Sequence, residues 1–269
     1  MYLNIALTGP KLRTCKPSTV LLPQWPALNR RTSCLLTASF RYEEFTAAIF
    51  VRQAETMYQP EAFHQLNDET IRALIAAYPL ASFVIRSDLG LEANHIPLVY
   101  GPGLAGEAGH GTLIGHVSRA NSMWQNYVSG SEALAIFHGP SHYISPSWYQ
   151  SKHEHGRAVP TWNYATVHVH GTLSIHSDAD WLLTAITHLT EHAEAFQAQP
   201  WRVADAPEEF TRGLLNAIVG FELRITRIDA KWKVSQNRSA EDRASVAAAL
   251  DAIATTHAKT MATLVRGNG

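Results

Sequence analysis

The chain has 269 residues, 46% hydrophobic and 17% charged, with a formal net charge of −1, which excludes disorder as the main state and leaves room for one large domain or two small ones. Its two cysteines, Cys15 and Cys34, exclude a disulfide framework and a four-thiolate zinc site and point to a cytoplasmic location. No run approaches the roughly 18 to 20 apolar residues of a membrane span, and none resembles a secretion signal.

Charge divides at Met57. Residues 1–56 carry seven Lys/Arg and three acids, and mix Pro10, Pro17, Pro23 and Pro26 with Ser, Thr and Arg. They read as a non-native or disordered extension, with translation starting at Met57; a basic targeting or interaction arm is the alternative. Residues 57–269, the expected domain, hold fifteen bases against twenty acids. That balance disfavours a broad phosphate-tracking surface, although a local basic patch is allowed.

The first regular element is a helix that Asp68 is placed to cap, with Ile71, Leu74, Ile75 and Tyr78 on one stripe and Pro79 as its stop. Short β-rich runs follow at Ser82–Arg86, His95–Tyr100, Thr112–Ser118, Ala133–Phe137 and Tyr143–Tyr149, the last interrupted by Pro146. Between Asn163 and Ile175 the residues alternate, with Val167, Val169 and Gly171 on one face and Thr166, His168 and His170 on the other. Asp178 then caps a helix carrying Trp181, Leu182, Ala185, Ile186 and Leu189, closed by Pro200. Pro207 opens a third helix through Leu215, an alternating run spans Ile218–Ile228, and Ser239-Ala-Glu-Asp242 begins a helix with Val246, Leu250 and Ile253. A loose tail is expected from Gly267. Clustered strands with peripheral helices argue for a mainly β, α+β protein built on an antiparallel barrel.

Several motifs carry chemistry. Gly101-Pro-Gly103-Leu-Ala-Gly106 has dinucleotide-fingerprint spacing, but Gly109 and Gly111 break any following helix, so a loop between strands is expected. His168-Val-His170 places two imidazoles on one strand face, with no carboxylate beside them in sequence, and no metal is assigned. Gly-x-Ser-x-Gly is absent. In Gly115-His116-Val117-Ser118-Arg119-Ala-Asn121-Ser-Met-Trp124 a strand ends in a polar turn whose amides, Ser118 hydroxyl and Arg119 guanidinium can converge on a dianion; an ordinary solvated strand end is the alternative. Trp162-Asn163-Tyr164, preceded by Lys152, can flank a planar ring and meet its polar edge, or simply cap a core. Lys231-Trp-Lys-Val-Ser-Gln-Asn-Arg238 suits an anionic ligand or a subunit contact.

Together these blocks resemble the PaiB family of FMN-binding negative transcriptional regulators. The resemblance covers Met57-Tyr-Gln-Pro60 with Phe63, His95-Ile-Pro97-Leu98, Gly115 through Trp124, Gly139-Pro140, Tyr143 through Tyr149, Val159-Pro-Thr-Trp-Asn-Tyr164 with Val167-His168, Pro200-Trp201, Ile218 through Phe221, and Lys231 through Arg238. Ser122 stands where the family pattern has Pro, and residues 1–56 lie outside that pattern. The resemblance implies an FMN-binding split barrel and a homodimer with FMN at the subunit interface. The phosphate is then expected near Ser118 and Arg119, among His116, Val117 and Asn121, and the ring near residues of both chains. Trp148, Lys152, Trp162, Asn163 and Tyr164 complete the expected cofactor set.

The family name implies a regulator, but the sequence has no basic helix-turn-helix segment, so direct DNA contact would need Arg224, Arg227, Lys231, Lys233 and Arg238. An FMN-dependent oxidoreductase of flavin-reductase or pyridoxamine-phosphate-oxidase type is the alternative, because the flavin itself carries that chemistry. A heme-binding split barrel is a further one, with no axial ligand singled out.

Overall fold

A computed structural model describes residues 57–101 and 110–267, which belong to one compact unit, Gln53–Gly269. The expectations for residues 1–56 and for the glycine loop after Gly101 lie outside the described residues.

Asn67, rather than Asp68, caps the first helix, α1 (Asp68–Ala77), its side chain accepting from the Thr70 amide; Ile71, Leu74 and Ile75 are buried as the stripe requires. Strands β1 (Leu80–Ser87) and β2 (Gly90–Pro97) form a hairpin, and β3 (Val99–Tyr100) leads to β4 (Thr112–Ser118). A one-turn helix α2 (Met123–Asn126) precedes β5 (Glu132–Ile144). β5 unites the expected Ala133–Phe137 run with the start of the Tyr143–Tyr149 run, because a bulge between His138 and Ser141 absorbs Gly139-Pro140. Beyond Ile144 the expected strand gives way to a 3₁₀ turn at Pro146–Trp148, where Pro146 has no N–H for a ladder and the Ser145 hydroxyl accepts from the Ser147 amide.

Helix α3 (Gln150–His155) follows, then β6 (Thr161–His176), α4 (Ala179–Glu194), α5 (Glu208–Leu215) and β7 (Ile218–Lys233). The chain closes with α6 (Ala240–Asp251), capped by Ser239, and α7 (Thr256–Gly267), which buries Ala258, Met261, Ala262 and Val265. α7 is a helix that the expected elements did not include, and it ends at Gly267, where the tail is expected to begin.

Among the described residues the strands form one seven-stranded sheet, β2-β1-β5-β6-β7-β4-β3, with every named pairing antiparallel. The sheet curls until β4 faces the end of β2 without a ladder between them. Gly115 permits that approach, since a Cβ there would lie 2.6 Å from Leu98 Cδ2 and 3.2 Å from the Pro97 carbonyl. Phe83, Phe137, Val167, Val169, Phe221 and Leu223 fill the interior, with Phe83 and Phe221 stacked at 5.1 Å. The result is a split barrel with peripheral helices. α4 covers one part of its outer surface, where Ala185 and Trp181 pack on Val99 and Ile114. No helix among the described residues is long and apolar enough to cross a membrane.

The most constrained point of this barrel is Gly171, where β7 carries an extra residue and the register steps from His170↔Arg227 to Gly171↔Ile225. A Cβ at Gly171 would stand 2.3 Å from the Arg224 carbonyl oxygen, a main-chain atom that cannot swing aside. Gly171→Ala is therefore expected to cost about 1–3 kcal/mol, as overpacking does, read as a lowered denaturant midpoint. Gly213→Ala, in open space on α5, should instead raise that midpoint, since Ala is favoured over Gly inside a helix by up to about 1 kcal/mol.

Candidate functional site

Alternation along β4 turns Leu113, Gly115 and Val117 into the barrel and leaves His116 and Ser118 exposed on the outer face. Val117 is thus a core side chain supporting the strand end. The turn after Ser118 is closely tied: Asn121 N–H donates to the Ser118 carbonyl (2.9 Å), and Ala120 N–H donates to Ser118 Oγ (3.3 Å). Asn121 Oδ1 accepts from the Met123 amide (2.9 Å) while its Nδ2 donates to Asn94 Oδ1 (2.9 Å), so Asn121 ties the turn to β2.

Arg119 is the brace of this turn. Its Nε donates to the Asn216 carbonyl and its Nη2 to the Ile218 carbonyl, each at 2.8 Å, its main-chain N–H donates to the Ala217 carbonyl at 2.8 Å, and Trp124 Nε1 donates back to the Arg119 carbonyl at 3.1 Å. The guanidinium caps the end of α5 and the start of β7, using two of its five N–H donors. Among the described residues no carboxylate pairs with it.

The second group sits on β6 and around α3. Trp162 (53% exposed) and Tyr164 face outward, and Trp162 meets exposed Tyr143 edge-on at 6.2 Å. Asn163, between them, faces inward: it is 1% exposed and its Nδ2 donates to Ser235 Oγ at 2.9 Å, which anchors the turn where Ser235 holds a positive φ of 68°. The three consecutive side chains therefore do not share one face of the sheet. Trp148 is half-buried against His142 (6.1 Å), and Lys152 is exposed on α3.

These two groups do not meet within one chain. Ser118 pairs across from Ile218 and Tyr164 from Lys233, at opposite ends of β7, a contour of about 50 Å at roughly 3.3 Å per residue. Both lie on the outer face. Between them the same face carries His95, Ser82 and His138, whose side chains meet at the Ser82 hydroxyl (3.3 and 3.4 Å), and the pair His168 and His170.

Register supplies what sequence spacing concealed: His170 lies between Glu132 (3.5 Å) and Asp229 (3.4 Å), and Asp229 also pairs with Arg227 (3.3 Å). His170 is held between these two carboxylates at 2% exposure, and among the described residues no cluster of three or more metal-ligating side chains occurs. A groove of about 670 Å³ between α4 and α5 is lined by Leu183, Thr187, Arg202, Arg212 and Leu215 and by none of the candidate residues.

Burial lowers the His168 pKa, His170 and His138 push it the same way, and Asp229 opposes them. An imidazole whose folded pKa is depressed binds fewer protons folded than unfolded. Its contribution to stability is therefore complete above the unfolded value of about 6.5 and is lost as pH falls through that value toward the folded one. Thermal unfolding of His168→Asn is expected to vary less between about pH 6.5 and 5 than that of the parent chain; equal slopes would show that His168 does not titrate there.

Comparison with known proteins gives one family. Residues 57–227 match the model described as "Putative FMN-binding domain". The chain is similar to the Protease synthase and sporulation protein PAI 2 of Bacillus subtilis, 31% identical over 209 residues, covering 78% of this chain and 96% of that protein. It is also 28% identical over 245 residues to an uncharacterized protein of Emericella nidulans, covering 79% of this chain and 98% of that one. Among solved structures it is similar to a FAD and heme binding protein of Mycobacterium smegmatis (17% identity, 63% of this chain and 72% of that chain, TM-score 0.48). The extent of the family match and of the Bacillus alignment shows that this chain belongs to the PaiB-like FMN-binding family, with FMN as its cofactor.

Proposed function

We propose that the chain works as a flavin-binding homodimer in which each FMN spans the two subunits. The phosphate lies at the Ser118–Arg119 turn of one chain and the ring at the Trp162 and Tyr164 end of its partner. One observation carries this reading: the two half-sites share the outer face of one sheet but stand at opposite ends of β7. A two-fold axis lying in the contact plane, at right angles to β7 and midway along it, lays each half-site against the opposite half-site of the second copy and so forms two equal composite sites.

The middle of the face suits such a contact. Val84, Ala93, Leu134 and Ile136 project there beside exposed Leu80 and Leu91, with the histidine group among them, an apolar centre interleaved with polar groups. At the phosphate end this chain offers a rigid turn with amide, hydroxyl and guanidinium donors, and at the ring end exposed aromatic faces. These fit a mononucleotide whose one end is a dianion and whose other end is a planar ring. When bound, the flavin supplies one- or two-electron redox chemistry; the side chains position it, exclude water from its ring and set the charge around it.

The regulatory output fits this flavin chemistry better than direct reading of DNA. Of the basic residues a DNA surface would need, Lys231 is 7% exposed, Arg227 pairs with Asp229, and Arg238 lies over the Tyr149 ring at 4.7 Å. What remains exposed is too little for phosphate tracking. The Bacillus relative, named for protease synthesis and sporulation, is compatible with a regulator that senses through its flavin in the cytoplasm. A gel-shift titration with genomic fragments at about 150 mM salt is accordingly expected to show no retention at micromolar protein; sequence-selective retention would restore the direct reading.

Mixed dimers test the composite site. Ser118→Glu places a carboxylate where the phosphate belongs, and Tyr164→Ala removes a ring contact. Each homodimer should lose FMN, while a mixed dimer carrying one copy of each variant should regain one intact site, seen as recovered flavin absorbance at dimer mass. Failure of the mixture to regain flavin places both half-sites' roles within a single chain or nowhere.

A further inference from the structure

Lys231 is buried (7% exposed) at the ring end of β7, and its surroundings are unusual for an ammonium group. Its Nζ donates to the Tyr58 carbonyl at 2.7 Å and lies 5.5 Å from the Tyr58 ring centre and 5.5 Å from that of Tyr164. Among the described residues no carboxylate pairs with it. Two strand positions on, Lys233 donates through Nζ to Thr161 Oγ1 and is likewise unpaired with any carboxylate among the described residues. A buried ammonium costs free energy that one carbonyl and two ring faces offset only in part. Both cations stand beside Tyr164, the aromatic side chain assigned above to the ring half-site.

We propose that Lys231 is the positioning cation for the N1–C2=O edge of the flavin ring, held at depth by Tyr58 and Tyr164. This rests on the composite site proposed above. Two electrons and one proton added to a flavin leave one net negative charge, concentrated on that edge. A cation beside it therefore binds the reduced ring more tightly than the oxidised ring and raises the two-electron potential. The Met57-Tyr-Gln-Pro60 block gains a role as well: its Tyr58 carbonyl and ring keep the lysine aimed, so that Tyr58 acts through Lys231.

The full-length dimer loaded with FMN is titrated with dithionite, which supplies the electrons and is oxidised to sulfite, against a reference dye. Lys231→Gln removes the charge and keeps an N–H for the Tyr58 carbonyl; Lys231→Met removes both; Lys231→Arg keeps the charge. Both neutral variants are expected to lower the ratio of reduced to oxidised FMN affinity about tenfold, the scale of one charge-assisted contact, which is about 30 mV for a two-electron couple. Lys231→Arg should restore most of it.

A merely structural pin predicts something else: Lys231→Met lowers the thermal stability of the flavin-free protein while every variant keeps the parent potential, and that result overturns the proposal. Should Lys231→Met fail to fold, Lys231→Gln against Lys231→Arg gives the same comparison. If the parent dimer takes up FMN and the mixed dimers regain it, an unchanged potential sinks Lys231 alone. If the parent protein binds no FMN, both readings fall.

Discussion

The pairing of β6 with β7 is the constraint from which the rest of the architecture follows. Each strand runs sixteen residues, three times an ordinary strand length of about 5–6, and a ribbon of that length must coil as it twists. The coil is released at one point, the Gly171 bulge, where only a residue without Cβ can lie against the Arg224 carbonyl. Around it the inner residues close a barrel and the outer ones are kept in one continuous row. Both proposed half-sites inherit their positions from this ribbon, since β4 joins one end of β7 and the Trp162–Tyr164 segment of β6 joins the other.

Close approach of backbone to side chain sets the remaining surfaces. Gly220 lets Trp181 of α4 lie directly on β7, where a Cβ would come within 2.2 Å of its ring, and Trp181 in turn stacks on His176 at 4.0 Å. α4 thus seals the outer face beside His116 while leaving His116 and Ser118 uncovered. At the far end α6 and α7 close the barrel. Asp242 of α6, 3% exposed, accepts from the Ser151 amide (2.9 Å) and hydroxyl (2.7 Å) and so fixes α3 with its Lys152. Helices guard the two ends and the middle of the outer face stays open.

In the proposed site, Arg119 would serve structure and ligand together. Its bonds to the Asn216 and Ile218 carbonyls use donors on one side of the planar fork, and such anchoring pre-organises the turn in which Ser118 sits. A side chain whose position is already set by the main chain loses little conformational freedom on meeting a phosphate. The same reasoning applies to Lys231, whose contact with Tyr58 holds it in place before any ligand arrives.

Local chemistry was enough to place most elements from the sequence. The Ile71/Leu74/Ile75 stripe, the Asp178 and Ser239 caps and the alternation through Val167 and Val169 each depend on neighbours within a few residues, so they are legible along the chain. So was the family resemblance, because its blocks are contiguous. Tertiary structure alone decided what depends on register. Glu132 and Asp229 are 38 and 59 residues from His170 in sequence yet flank it across the sheet, and no spacing rule links them. Asn163 is separated from Trp162 and Tyr164 by the pleat, which sends adjacent side chains to opposite faces, while sequence adjacency suggested one cluster. Arg119 reaches carbonyls almost a hundred positions away, and Lys231 meets Tyr58 over a still longer separation. Short-range stereochemistry writes helices, caps and strands into the sequence; which side chains share a site is set by the closing of the barrel, a long-range event in which every strand's register has to agree with its neighbours'.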